Sequence, residues 1–240
     1  MIYLISFFIV LVIIYTNIMF YRKCDYELDV HIFKKINLND IKQVYKLRQP
    51  VKFNYQLNTI NVDSLDTIFQ GKKVTLFNKK TKKIEKVEWK KNKKNYMYLV
   101  SKFLSKRNKE FNPVMSTNSY ENYIVLNKEC STMPKFSNAY SELITPVNGN
   151  CVIRIVNNEE KNYYDEIKSN NEDDIYLKAD LFKSKMNYKD VVLQKGQCML
   201  IPSKWIYSIK SDDNIIIFNQ TWNTYLNKLA HCYEYFKYHY

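Results

Sequence analysis

Three histidines, His31, His231 and His239, are all the imidazole that this 240-residue chain can offer to a metal ion or a proton relay. His231 and His239 stand eight positions apart on an expected C-terminal helix, about 12 Å along its axis, too far to grip one ion together. His31 lies far off in an expected tether. Cys24, Cys130, Cys151, Cys198 and Cys232 form an odd set with no Cys-x-x-Cys pair, so neither a zinc ribbon nor a full disulfide framework is indicated and buried, reduced thiols are expected. For Cys151 or Cys198 to act as a nucleophile a neighbouring base is needed, and no histidine falls in the strand-rich half of the chain.

Charge supplies the other candidate chemistry. The formal net charge is +13, but it is concentrated: residues 72–94 carry eleven lysines against Glu85 and Glu88, while residues 158–174 carry seven acidic groups against Lys161 and Lys168. Lys79, Lys80, Lys82, Lys83, Lys90 and Lys91 are candidate contacts to an anionic membrane surface. The plainer reading is a solvated hairpin whose lysines guard a sheet edge. No nucleic-acid motif surrounds them, which makes nucleic acid the least favoured partner. The acidic stretch is either a plain soluble insertion or a match for the lysine hairpin of a neighbouring copy, a self-association that salt would screen, and a protein partner is the other expected contact.

The elements that must position these groups begin with an apolar run, Ile2 to Phe20, without a charge. At 1.5 Å per residue it just crosses a hydrocarbon core of roughly 30 Å, and it lacks the basic start and small-residue cleavage site of a signal peptide. Residues 1–21 are therefore expected to be a transmembrane anchor. Arg22 and Lys23 follow it directly, which orients a single-pass protein with its soluble part in the cytosol. A tether covers residues 22–38. A helix capped by Asn39 and stopped by Pro50, a strand over Val51–Tyr55, a short helix from Ser64 to Gly71, a hairpin within 72–94 and a helix from Tyr96 follow. That last helix is expected from the spacing of Tyr96, Leu99, Val100, Phe103 and Leu104. From Tyr123 on, seven short apolar segments indicate a sandwich or barrel, closed by a helix over 224–240. The fold class is mainly β with flanking helices, in one domain over residues 39–223.

Several of these segments, in order, resemble the JmjC-like cupin family. The stretch "QPVKFNY" (49–55), "YIVLNKECSTMPKFSNAYSELITPVNGNCVIRIV" (123–156), "KGQCMLIPSKWIYSI" (195–209) and "NIIIFNQTW" (214–222) carry the likeness, most specifically through Gly196, Ile201-Pro202 and Trp205. The resemblance implies a double-stranded β-helix of the jelly-roll kind. Enzymes of the family hold Fe(II) by two histidines and a carboxylate and leave positions open for 2-oxoglutarate and dioxygen. Carried over residue by residue, the His-x-Asp pair falls on Lys135 and Ser137, the distal histidine on Tyr207, and the cosubstrate lysine on Cys151. An ammonium has no lone pair and serine is a poor neutral ligand. No metal and no cofactor is therefore expected, and Fe(II) with 2-oxoglutarate belongs only to the alternative of a residual oxygenase using Tyr207.

Arg154 is expected on the same side of its strand as Cys151, where it would replace the missing lysine's charge. Glu142, or the Lys135 and Tyr207 pair, with Trp205 nearby, would line a vacated pocket able to take a small anion. The reading is a degenerate, membrane-attached cupin that serves as a binding or structural module, a pseudoenzyme. Heavy use of Lys, Asn, Ile and Tyr suits an AT-rich genome such as that of a large DNA virus, in which case the membrane is that of virion or host.

Overall fold

Strands with buried and exposed residues in alternation, such as Lys189–Gln194 with Val191 and Leu193 turned inward, need a second sheet to cover their apolar face. In the computed structural model they find one. The structure describes residues 2–22, 27–34, 36–55, 73–78, 83–88, 96–104, 116–137, 139–157, 166–168, 175–177, 180–225 and 227. In chain order the elements are α1 (Ile2–Arg22), β1 (His31–Phe33), α2 (Leu38–Leu47), β2 (Val51–Asn54), β3 (Lys73–Asn78), β4 (Lys83–Glu88), β5 (Tyr96–Leu104), β6 (Ser116–Leu126), β7 (Cys130–Ser131) and β8 (Lys135–Phe136). There follow β9 (Ser141–Pro146), β10 (Asn150–Val156), β11 (Glu166–Lys168), β12 (Ile175–Leu177), β13 (Lys189–Gln194), β14 (Gln197–Pro202), β15 (Ile206–Ser211) and β16 (Ile215–Thr224).

The strands form two sheets, one ordered β1-β2-β14-β9-β16-β6-β5-β3-β4 and the other β11-β12-β8-β15-β10-β13 with β7 beside β15. The protein is mostly β with few helices, its strands gathered in two facing sheets. Its centre is eight strands, β6, β8, β9, β10, β13, β14, β15 and β16. Counted one to eight, they lie in the order 6-3-8-1 in the first sheet and 2-7-4-5 in the second, the order of a jelly roll. Between the sheets lies the main core, with Ile144, Met199 and Ile217 from one side and Ile153, Leu193 and Ile209 from the other. A second core, Leu143, Cys198, Leu200 and Trp222, fills the outer face of the first sheet, under Ile41 and Val44 of α2.

Local chemistry explains the ends of α2. Asn37 Oδ1 accepts the Asp40 amide at 3.0 Å and Asp40 Oδ2 accepts the Asn37 amide at 3.1 Å, a reciprocal capping box. The cap is thus Asn37 and not Asn39, because only Asn37 has an acidic partner three residues on. Arg48, at φ 51, turns the chain out of the helix into the left-handed region, and Pro50 follows.

The segment expected to be a helix from Tyr96 is instead β5, paired with β3 on one side and β6 on the other. Its i, i+3, i+4 spacing suits a helix, but Tyr96, Tyr98, Val100 and Phe103 are aromatic or β-branched, and two neighbouring strands satisfy its backbone. The hairpin within 72–94 is present as β3 and β4, with Lys73 opposite Glu88 and Asn78 opposite Lys83. Residues 31–33, in the stretch read as a tether, add β1 in parallel to β2. At the other end Thr224 Oγ1 accepts the Asn227 amide at 3.1 Å, as a helix N-cap does; residues 228–240, and the expected helix at 64–71, lie outside the described residues.

α1 has a backbone of 21 residues, about 31 Å long, and exposes Ile2, Leu4, Phe7 and Phe8. Its side chains are described only as far as Tyr15, an apolar stretch that rises about 21 Å against a core of roughly 30 Å. Among the described residues no helix is long and apolar enough to cross a membrane.

Candidate functional site

β9 is buried on both faces, which sets the problem the site must solve. Leu143 faces outward into the core under α2, so Glu142 and Ile144 face the space between the sheets. Glu142 is 0% exposed, and a carboxylate there must be paired and hydrogen-bonded or protonated. The facing sheet supplies the charge. Lys135, opposite Tyr207 in the β8–β15 ladder, places its Nζ 2.8 Å from Glu142 Oε2. Tyr207 OH donates to the same oxygen at 2.8 Å, and Asn219 Nδ2, from β16, donates to it at 3.0 Å. Ser137 Oγ donates to Oε1 at 2.7 Å.

Four donors thus converge on one carboxylate, about the number its lone pairs can accept. Burial by itself would raise the Glu142 carboxyl. The Lys135 ammonium and the hydrogen bonds from Asn219, Lys135 and Ser137 oppose it and win, leaving the group below its ordinary value. Backbone bonds fix the donors: Ser137 N reaches Trp205 O at 2.8 Å and Lys204 N reaches Ser137 O at 2.7 Å, tying the end of β8 to the turn between β14 and β15. Lys204 makes that turn at φ 77.

The structure therefore brings Lys135, Ser137 and Tyr207 together, with Glu142 at their centre. It does not leave the Lys135 and Tyr207 pair as an anion pocket, because the ammonium and the hydroxyl are both spent on Glu142. Trp205 is not a pocket wall but a core residue, 0% exposed, whose Nε1 donates to Arg48 O at 3.0 Å. Cys151 lies in the main core and Cys198 in the core under α2; burial pushes each thiol up to about 12.

Arg154 does not share a face with Cys151. The two are three positions apart, and an odd separation along a strand reverses the side. Its guanidinium instead makes a two-pronged pair with Asp190 at 2.7 Å on each prong, donates to Leu181 O at 3.1 Å and lies 3.6 Å from the Tyr188 ring centre. It pins the short 3-10 turn Leu181–Lys183 and the following loop to the outside of the second sheet. His31 Nε2 is hydrogen-bonded to Gln49 Oε1 at the sheet edge. Lys79, Lys80, Lys82, Lys90 and Lys91, His231, His239, Cys24 and Cys232 lie outside the described residues, and Lys83 is described by its backbone at the start of β4.

Asn219 is the site residue that sequence reasoning missed. The signal was its parity with Ile215 and Ile217 along β16, which turns it inward beside Glu142. A separate surface depression of about 520 Å³, bordered by Lys34, Tyr55 and the β13–β14 turn at Gly196, lies at the other end of β14 from this cluster.

A divalent iron does not fit these donors. Lys135 presents protons where a ligand must present a lone pair, and both oxygens of the one carboxylate are already engaged. Among the described residues no group of three or more His, Cys, Asp and Glu side chains is gathered for a metal.

No protein-family model matches the chain, and no curated protein matches it. A solved structure of salicylate 1,2-dioxygenase from Pseudoaminobacter salicylatoxidans, in adducts with gentisate, is similar at a TM-score of 0.31 and 10% identity over 52% of this chain. The match spans 25% of that chain, and a likeness of this size carries no argument about chemistry.

Proposed function

We propose that this chain is a membrane-attached, JmjC-like cupin that works as a binding or structural module, with a buried ion pair where an oxygenase would hold its iron. The observation that carries the reading is the saturated carboxylate of Glu142, engaged by Lys135, Ser137, Tyr207 and Asn219. The jelly-roll strand order supports the finer assignment to a double-stranded β-helix. The apolar run from Ile2 to Phe20 supports the anchor, and Arg22 with Lys23 supports a domain on the cytosolic side.

Anaerobic titration of the full chain in detergent with Fe(II) and 2-oxoglutarate tests the central claim, with Tyr207→Phe as control. No stoichiometric iron and no 2-oxoglutarate binding are expected. Iron held at one equivalent and lost in the control would replace this reading with that of a tyrosinate-based oxygenase. Alkaline carbonate extraction of membranes tests the anchor: the chain stays with the pellet, and its release would remove the attachment.

A second reading rests on the β3–β4 hairpin, which ends the first sheet. The sequence between its two strands carries Lys79, Lys80 and Lys82, and an anchored domain would hold them near anionic headgroups. Amine labelling of these lysines in proteoliposomes is expected to fall when phosphatidylserine replaces phosphatidylcholine. Equal labelling in the two lipids would reduce the hairpin to a solvated edge.

A further inference from the structure

The ion pair has a third member whose chemistry the structural role does not use. Lys135 Nζ and Asn219 Nδ2 bind the same oxygen of Glu142, at 2.8 and 3.0 Å, from opposite sheets. The amine and the side-chain amide are thus held less than about 6 Å apart around one carboxylate. Glu142 is 0%, Asn219 2% and Lys135 7% exposed, so bulk water is kept from all three. Asn219 Oδ1 is buried and, among the described residues, has no hydrogen-bond partner.

We propose that Lys135, Glu142 and Asn219 form a self-acting cross-linking site, in which the Lys135 amine displaces the Asn219 amide nitrogen to leave an isopeptide bond between β8 and β16. In the first step the Lys135 ammonium passes a proton to Glu142, an uphill transfer within the ion pair that frees the amine's lone pair as a nucleophile and turns the carboxylate into an acid. A half-turn of the Asn219 amide exchanges Oδ1 with Nδ2 and puts the unpartnered carbonyl on that acid proton, which polarises it. Lys135 Nζ then bonds to Asn219 Cγ, and the Cγ–Nδ2 bond breaks.

Of the three ammonium protons, one stays on the new amide nitrogen and two, relayed by Glu142, leave with the departing nitrogen as ammonium. Glu142 returns to its starting state. No electron changes hands and no co-reactant is consumed. Ser137 and Tyr207, both bonded to Glu142, are positioning residues that keep the carboxylate between the two partners. Holding amine and amide in one enclosure is the kind of arrangement for which effective molarities become very large. Exclusion of water protects the product from hydrolysis.

The test is the denatured mass of the purified full-length chain, followed by sequencing of its proteolytic fragments. The mass is expected to fall short of the sequence mass by one ammonia, with a branched fragment joining Lys135 to Asn219. Lys135→Arg, Glu142→Gln and Asn219→Ala are each expected to restore the full length of unlinked mass. Wild-type protein that unfolds cooperatively, and so is folded, yet keeps its full mass after prolonged incubation would overturn the proposal. So would an ammonia loss without the branched fragment, which would mark a succinimide at some asparagine instead. The wild-type measurement decides the matter even where a variant fails to fold.

Discussion

Compared with wild-type chain that has not cross-linked, replacing Glu142 by glutamine removes one charge and almost no volume from the centre of the sandwich, so its effect isolates the electrostatics. Lys135 is then left 7% exposed with an ammonium that no anion neutralises. Four donors also compete for a single amide oxygen where a carboxylate had two. Breaking a buried pair by removing one partner costs about 3–5 kcal/mol. For a chain of this length that is a fall in Tm of roughly 6–20 °C.

Denaturant unfolding followed by the fluorescence of the buried Trp205 and Trp222 measures it. The sign can be checked twice. An unpaired buried ammonium disfavours its charged form, so the folded variant binds fewer protons than the unfolded chain, and its stability climbs as pH rises from 7 towards about 10. Adding Lys135→Met removes the stranded charge and is expected to recover about half the loss or more, since buried pairs exchanged for apolar groups are often neutral. A Glu142→Gln cost below about 1 kcal/mol, with Lys135→Met adding its own loss instead of a rescue, would refute the buried-pair reasoning.

Asn219→Ala keeps the ion pair but cannot be linked, and its acid limb reports what Lys135 contributes: the ammonium lowers the Glu142 carboxyl, so the stabilisation it brings is complete above the ordinary 4.5 and fades as pH falls below it. An acid-unfolding curve unchanged when Lys135→Met is added would contradict this. Trp205→Phe removes the hydrogen bond to the Arg48 carbonyl and opens a cavity beside the β14–β15 turn, at an expected cost of roughly 2–4 kcal/mol in denaturant unfolding. A change under about 0.5 kcal/mol would show that the indole is not what ties α2 to the sandwich. Cys151 and Cys198, with thiols near 12, are expected to ignore a disulfide reagent at pH 8 until the protein unfolds; labelling of either in the native state would mean that its core opens.

The strands from Tyr123 onward were legible because each is a short apolar run ended by turn residues. The order in which they pair was not, since hydrophobic period speaks of one strand at a time. β5 misled because Tyr96, Leu99, Val100, Phe103 and Leu104 satisfy a helical spacing, and only its two neighbours decide for a strand. At the site, the sequence puts a lysine, a serine and a tyrosine at 135, 137 and 207, and the structure brings the three together. What those types could not show was that Glu142, seven residues beyond Lys135 and on the opposite sheet, would neutralise it. Arg154 turned on one count: three positions from Cys151, it was bound to face away.

Because β9 is covered on both sides, positions 135 and 142 form a lock that cannot be picked one tumbler at a time. A drifting sequence that loses the lysine alone, or the glutamate alone, meets the full expense of a solitary charge in a dry interior. Relatives of this chain are therefore expected to carry both groups or neither, with apolar residues arriving at the two positions as a pair. The same interdependence makes any route into or out of this interior a narrow one, passing through variants weak enough to fail unless the surrounding sandwich is stable enough to bear them.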